Sequence, residues 1–257
     1  MHDNLVFDIQ GGLFAVHKAL GDVWGEEVYE RAVQMELEAR GMRVERQKSF
    51  EVCYFDRQVG QYALDLLVND TIIIELKAVP EILPLHKAQL ISYLKGHSKP
   101  LGILANFGES PAGVQILPNK ISHLTVLTDT FDFSKIRNPQ KERFRELLVM
   151  CNRILVTLGP GYLHQVYRRA LFYELRTAGV EFESVKNVTA TYRGQVVGEK
   201  AVNFLRMGDL LISAISVLEL SDDMLSRFRN FIRHTGCRRG FIANFRALCV
   251  DFRYYEM

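Results

Sequence analysis

The sequence has little cysteine, proline or tryptophan: four, seven and one among 257 residues. Cys53, Cys151, Cys237 and Cys249 are scattered, with no CxxC pair. That argues against a zinc site and a disulfide framework, and makes a reducing cytoplasm the expected setting. No apolar run reaches the roughly 18 residues of a membrane helix, so no membrane partner is expected. The first ten residues carry Asp3 and Asp8 and no basic stretch, unlike a secretory signal. Neither sign of charge dominates, with 32 Lys and Arg against 30 Asp and Glu. Apolar mass is plentiful. At 48% hydrophobic, the chain is excluded from the disordered class and can fill one large core or two small ones. Its length favours two domains.

A repeat supports that division. Residues 17–107 align without a gap with 155–245 at a constant offset of 138, giving 23 identities in 91 positions. They fall in blocks. Leu20-Gly21 matches Leu158-Gly159, Val28-Tyr29 matches Val166-Tyr167, and Ala105-Asn106-Phe107 matches Ala243-Asn244-Phe245. A period this long is a domain duplication and not a solenoid.

Periodicity and turn residues give the elements of one copy. Helices are expected over 13–20 and 26–40, the second closed by Gly41. Short strands are expected over 44–48 and 50–55, with a turn at 56–58. The segments 63–68 and 71–77 form a hairpin across Asn69-Asp70. A helix over 84–96 opens with proline, and 101–106 is a buried strand. A further strand is expected over 123–128, a loop over 108–122 and a linker over 138–158. The fold class is α/β.

The chemistry gathers in the first copy. Glu75 and Lys77 are two apart on a strand and face the same way, and Asp65 on the preceding strand reaches that face. Ile72, Ile73 and Ile74 surround them with apolar bulk, where charges are costly unless paired or ligated. Two carboxylates beside a lysine suit a hard divalent cation, Mg²⁺ or Mn²⁺. A surface ion pair on an amphipathic strand explains the same spacing. Glu26, Tyr29, Glu30 and Val33 share one helix face. Tyr29 and Tyr93 read equally well as core residues, and Gln89 on an apolar helix needs a polar partner. His86 and Lys87 read either as phosphate contacts or as a solvated face.

The pattern Asp65…Glu75-x-Lys77 resembles the core of the PD-(D/E)XK nuclease superfamily. The run 20–30, with Glu26-x-x-Tyr29, resembles the signature of its GxxExxY family. Gln89 and Tyr93 resemble the Q-x-x-x-Y helix motif of RecB-like members, and 101–107 resembles the strand that follows. The resemblance covers 13–130. One departure stands out: the first glycine of GxxExxY is Val23 here, whereas the second copy has Gly161. The resemblance implies two tandem restriction-endonuclease-like domains, each a central mixed β-sheet flanked by helices. The first, 1–137, has the intact motif; the second, 138–257, is degenerate. It implies that Asp65 and Glu75 bind Mg²⁺ or Mn²⁺, with the Leu76 carbonyl a further ligand. Glu26 completes the acidic cluster, and Lys77 is the catalytic lysine. Gln89 and Tyr93 line the site or contact substrate. The implied reaction is metal-dependent hydrolysis of nucleic-acid phosphodiesters, with DNA ahead of RNA.

In the second copy the offset replaces Glu26 with His164, Asp65 with Asn203, Glu75 with Ser213, Lys77 with Ile215 and Gln89 with Arg227. Asn203 and Ser213 cannot hold Mg²⁺ usefully, so this copy is expected to be folded and inactive. Charge is divided too. Residues 1–138 carry 14 basic and 18 acidic side chains; 139–257 carry 18 and 12. Arg227, Arg229, Arg233, Arg238 and Arg239, with His234 and Lys186, make a basic set that fits either a phosphate-backbone clamp or a solvated face. A nuclease with one live and one dead copy competes with a non-catalytic nucleic-acid-binding or interaction protein, and with a hydrolase of small phosphodiesters. A monomer folded as an intramolecular pseudo-dimer and a homodimer are both compatible with the duplication.

Overall fold

A computed structural model of the chain describes residues 2–119, 131–136, 140–217, 219–245 and 249–257. The chain divides into two units, Met1–Val52 with Gly60–Ser122, and Cys53–Val59 with His123–Met257. The tip of one hairpin of the first copy, 53–59, thus belongs to the second unit.

The first copy runs α1 (His2–Leu20), α2 (Glu26–Ala39), β1 (Val44–Tyr54), β2 (Arg57–Val68), β3 (Ile72–Lys77), α3 (Pro84–Gly96), β4 (Leu101–Asn106) and β5 (Gly113–Pro118). The sheet order is β1-β2-β3-β4-β5. β3 pairs antiparallel with β2 and parallel with β4, to which α3 is the crossover. β5 returns antiparallel to β4. Strands β3 and β4 are apolar because they lie in the middle of the sheet, buried on both faces. Ile72, Ile74 and Leu76 share a core with Ile9 and Leu13 of α1 and with Tyr29, Val33 and Leu37 of α2. The alternate positions 73, 75 and 77 therefore face the other way. At Asn69 and Asp70 the β2–β3 turn has φ of 50° and 52°, the left-handed pair that a tight hairpin requires.

The second copy repeats the plan: α4 (Gln140–Leu158), α5 (His164–Thr177), β6 (Glu183–Tyr192), β7 (Gln195–Met207), β8 (Leu210–Ile215), α6 (Asp222–His234), β9 (Arg239–Phe245) and β10 (Val250–Glu256). Its sheet order is β10-β9-β8-β7-β6, again with one parallel pair, β8 with β9. Phe144, Leu147, Cys151 and Leu155 of α4 and Val166, Tyr167 and Leu171 of α5 are buried. Four elements (α1, α2, β3 and α3) recur with both ends at an offset of 138, and β2 and β4 recur with their starts at it.

Several sequence expectations need correction. The segments 44–48 and 50–55 are one strand, β1, whose irregularity lies at Gln47, with φ 53°. The helix expected over 13–20 begins at His2. Gly11 and Gly12 do not break it: a Cβ on Gly12 would lie 2.7 Å from Leu37 Cδ2, so glycine lets α1 lie close on α2. The loop expected over 108–122 contains β5, and the linker over 138–158 is helix α4, the counterpart of α1. The strand expected over 123–128 lies outside the described residues. All four cysteines are free thiols, and no helix among the described residues is long and apolar enough to cross a membrane.

Candidate functional site

The carboxyl end of β3 places Glu75 and Lys77 on the same face of the sheet. β2 delivers Asp65 beside them: Leu66 pairs with Ile74, so Asp65 lies opposite Glu75 one step on. Asp65 Oδ2 accepts a hydrogen bond from the Leu76 amide at 2.8 Å, which fixes the carboxylate against β3. Glu75 is buried, 2% exposed. Lys77 Nζ donates to its Oε1 at 2.7 Å and to the Leu76 carbonyl at 3.0 Å. The other oxygen, Glu75 Oε2, is buried and has no partner. Leaving a buried carboxylate oxygen unsatisfied is costly, and such groups mark places where something else binds.

Glu26 enters from the first residue of α2. Its Oε1 accepts from the Ala78 amide at 3.4 Å, and its Oε2 lies 3.9 Å from Lys77 Nζ. Glu30, one turn on, is buried and held by Gln47 Nε2 at 2.8 Å and Arg46 at 3.4 Å. The fields are unbalanced toward negative charge. Burial, with the Glu30 and Glu26 charges adding to it, pushes Asp65 up to about 6 against the pull of Leu76 and Lys77. Burial and the neighbouring Asp65 push Glu75 up to about 8. Burial would lower Lys77, but Glu75, Glu26 and Asp65 outweigh it and hold the ammonium above its ordinary value.

The remaining expected site residues divide. Tyr29 is fully buried; its hydroxyl donates to the Gly21 carbonyl at 2.8 Å and accepts from the Trp24 amide at 3.1 Å, and its ring stacks on Phe107. It pins the loop that leads Glu26 into place, a positioning role. Tyr167 repeats this in the second copy, bonded to Gly159 and the Tyr162 amide and stacked on Phe245. Gln89 finds its polar partner in Tyr93, donating to the hydroxyl at 2.7 Å, and Tyr93 is 2% exposed. Of the basic set, Arg227 pairs with Asp223 at 2.8 Å, Arg229 lies over the Tyr255 ring and Arg239 is bound by Asp209. Arg233 is exposed on α6, and Lys186 lines a separate cavity.

Sequence reasoning missed two residues. His86, read as a solvated or phosphate-touching position, is half-buried; its Nδ1 accepts the Leu83 amide at 3.2 Å and caps α3. Burial and the Lys77 charge keep it below the usual imidazole range, which places it within the field of the site. Glu30 read only as a helix-face neighbour. Its importance depends on Arg46 and Gln47, which no local pattern links to it.

The profile of the PD-(D/E)XK nuclease superfamily matches residues 3–116 and again 141–254. The chain belongs to the PD-(D/E)XK nuclease superfamily. The two matches repeat the duplication, and the two five-stranded mixed sheets are the superfamily's α/β architecture carried twice. No curated protein and no solved structure matches the chain. The superfamily consists largely of nuclease hydrolases, typically dependent on divalent metal. The oxygen donors here fit such an ion. Asp65 and Glu75 offer carboxylates, one with an orphaned buried oxygen. Among the described residues no three His, Cys, Asp or Glu side chains gather into a ready metal cage. Two carboxylates suffice for Mg²⁺, which keeps several waters and takes substrate phosphate as a ligand.

Proposed function

We propose that the first copy, residues 1–137, hydrolyses nucleic-acid phosphodiesters with Mg²⁺ or Mn²⁺, and that the second, 138–257, is an inactive partner with a structural or substrate-binding role. Glu26-x-x-Tyr29 supports assignment to the GxxExxY branch. The observation that carries the reading is Glu75: buried, gripped by Lys77 through one oxygen and unpartnered at the other. Asp65 and Glu75 would hold the ion, with the Leu76 carbonyl as a further donor. When bound, the ion lowers the pKa of a water and neutralises phosphate charge. Lys77 donates from Nζ toward the oxygens of the reacting phosphate, where negative charge grows. Glu26, partly exposed beside Lys77, orients that ammonium and any attacking water. Gln89, fixed by Tyr93, lines the approach. DNA is the favoured substrate.

Incubating the protein with plasmid and single-stranded DNA in Mn²⁺, beside Lys77→Ala and Asp65→Ala, tests this. Cleavage should fall on the order of 10²-fold or more in each variant. Cleavage equal in wild type and both variants would sink the assignment. A second reading, a binding module that keeps the fold without the chemistry, draws on the spacing of the acids: among the described residues no three His, Cys, Asp or Glu side chains stand close enough to hold one ion. It predicts tight DNA binding and no cleavage in any metal.

A further inference from the structure

The second unit contains a cavity of about 730 Å³, within the roughly 300–1,000 Å³ range of small-molecule sites. Every residue of its wall belongs to that unit. Arg168, Arg169 and Arg176 of α5 and Lys186 of β6 line it, and among the described residues no Asp or Glu does. Arg168 Nη1 is buried without a partner. Arg169 is anchored through its Nη1 to the Val59 carbonyl at 3.1 Å. Glu174, an acid on the same helix, is already engaged by Tyr54 and Arg153.

The offset of 138 shows what stands at the same positions in the first copy. Arg168 stands where the first copy has Glu30, and Asn203, also in the wall, stands where it has Asp65. Ser184 and Val185 replace Arg46 and Gln47, the residues that hold Glu30 in the first copy. Glu30 and Glu38 of the first copy are thus the cations Arg168 and Arg176 here, and Asp65 is the neutral amide Asn203. Arginine matches phosphate oxygens in a two-pronged geometry, and a buried guanidinium nitrogen without a partner needs an acceptor. Burial beside Arg169 disfavours the Arg168 charge, a cost that a bound anion would remove. Phe172 and Phe204 add apolar wall next to the cations, a surface for a ring.

We infer that this cavity binds the monoester phosphate of a nucleotide, with Arg168, Arg176 and Lys186 on the phosphate and the nucleoside against Phe172 and Phe204. The ligand is either a free nucleotide or the 5′-phosphorylated end of a strand. The first copy's carboxylates take no part, so the test is run on the full chain in EDTA. AMP is titrated by calorimetry, and a short single-stranded oligonucleotide is compared with and without a 5′-phosphate. Arg176→Glu with Lys186→Glu changes exposed side chains only, and Arg168→Gln is added with circular dichroism to confirm folding. Saturable AMP binding weakened at least tenfold by the variants establishes the site with a free nucleotide. Silence toward AMP, with at least tenfold preference for the phosphorylated strand abolished in the variants, establishes it with a strand end. No saturable binding of either probe, or binding the variants leave unchanged, overturns the inference.

Discussion

Glu75 keeps its two oxygens in unlike surroundings, one against an ammonium and one against nothing, and that asymmetry has a pH signature. Its folded pKa lies near 8 against an ordinary 4.5. Between those values the folded state keeps a proton that the unfolded state gives up. Stability from this group is therefore greatest at the acid end and falls as pH rises from about 4.5 to about 8. In metal-free protein, thermal melts from pH 5 to 8 should show that decline, and Glu75→Gln should flatten it. A wild-type profile as flat as the variant's would refute the burial argument. Metal requires the deprotonated form, so Mn²⁺ affinity should rise with pH over the same window and binding should release protons, as calorimetry in buffers of different ionisation heat would detect. At this scale the sequence is informative where local spacing decides proximity: alternation along β3 brings Glu75 and Lys77 to one face, the Asn69-Asp70 hairpin brings Asp65 beside them, and the family resemblance marks the three as a site. Glu30 is not legible, because its partners Arg46 and Gln47 come from another element, and neither are His86 and Arg168, whose burial depends on tertiary packing.

Among the elements, β3 and β4 set how closely α3 approaches the sheet. A Cβ on Gly102 would lie 2.8 Å from Leu90 Cδ1 and 3.0 Å from the Ile73 carbonyl. Gly240 does the same under α6, against Ile232 and Phe228. Gly102→Val would force α3 outward and should cost about 1–3 kcal/mol in urea denaturation. It should also weaken Mn²⁺ binding through the displaced β3. Unchanged stability would mean that Leu90 simply gives way. The central strands, α2 and α3 are legible because caps, proline and apolar runs agree there. β5 is hidden by Gly113 and Pro118 at its ends. Helix α4 is hidden because only its end falls within the aligned repeat, although Phe144, Leu147, Leu148, Cys151, Ile154, Leu155 and Leu158 recur at helical spacing and are buried.

For the whole molecule, duplication separated scaffold from chemistry. Tyr29 and Tyr167, Asn106 and Asn244, make the same bonds in both copies, while the acids survive in one alone. The charge followed: the second half carries 18 Lys and Arg against 12 Asp and Glu. If α6 contributes to DNA binding, replacing Arg227, Arg229 and Arg233 together by Ala should weaken it. The slope of log affinity against log salt should also shrink by about one for each phosphate no longer neutralised. An unchanged slope between 50 and 200 mM salt (roughly the useful range) would remove α6 from the interface. The duplication also leaves one optical asymmetry. Trp24 is the chain's single tryptophan, half exposed, two residues before Glu26 and tied to the Leu20 carbonyl and the Tyr29 hydroxyl. Its counterpart is Tyr162. Selectively excited indole emission therefore comes from the acidic copy alone, a built-in fluorophore for following cation or strand arrival there in real time without any label.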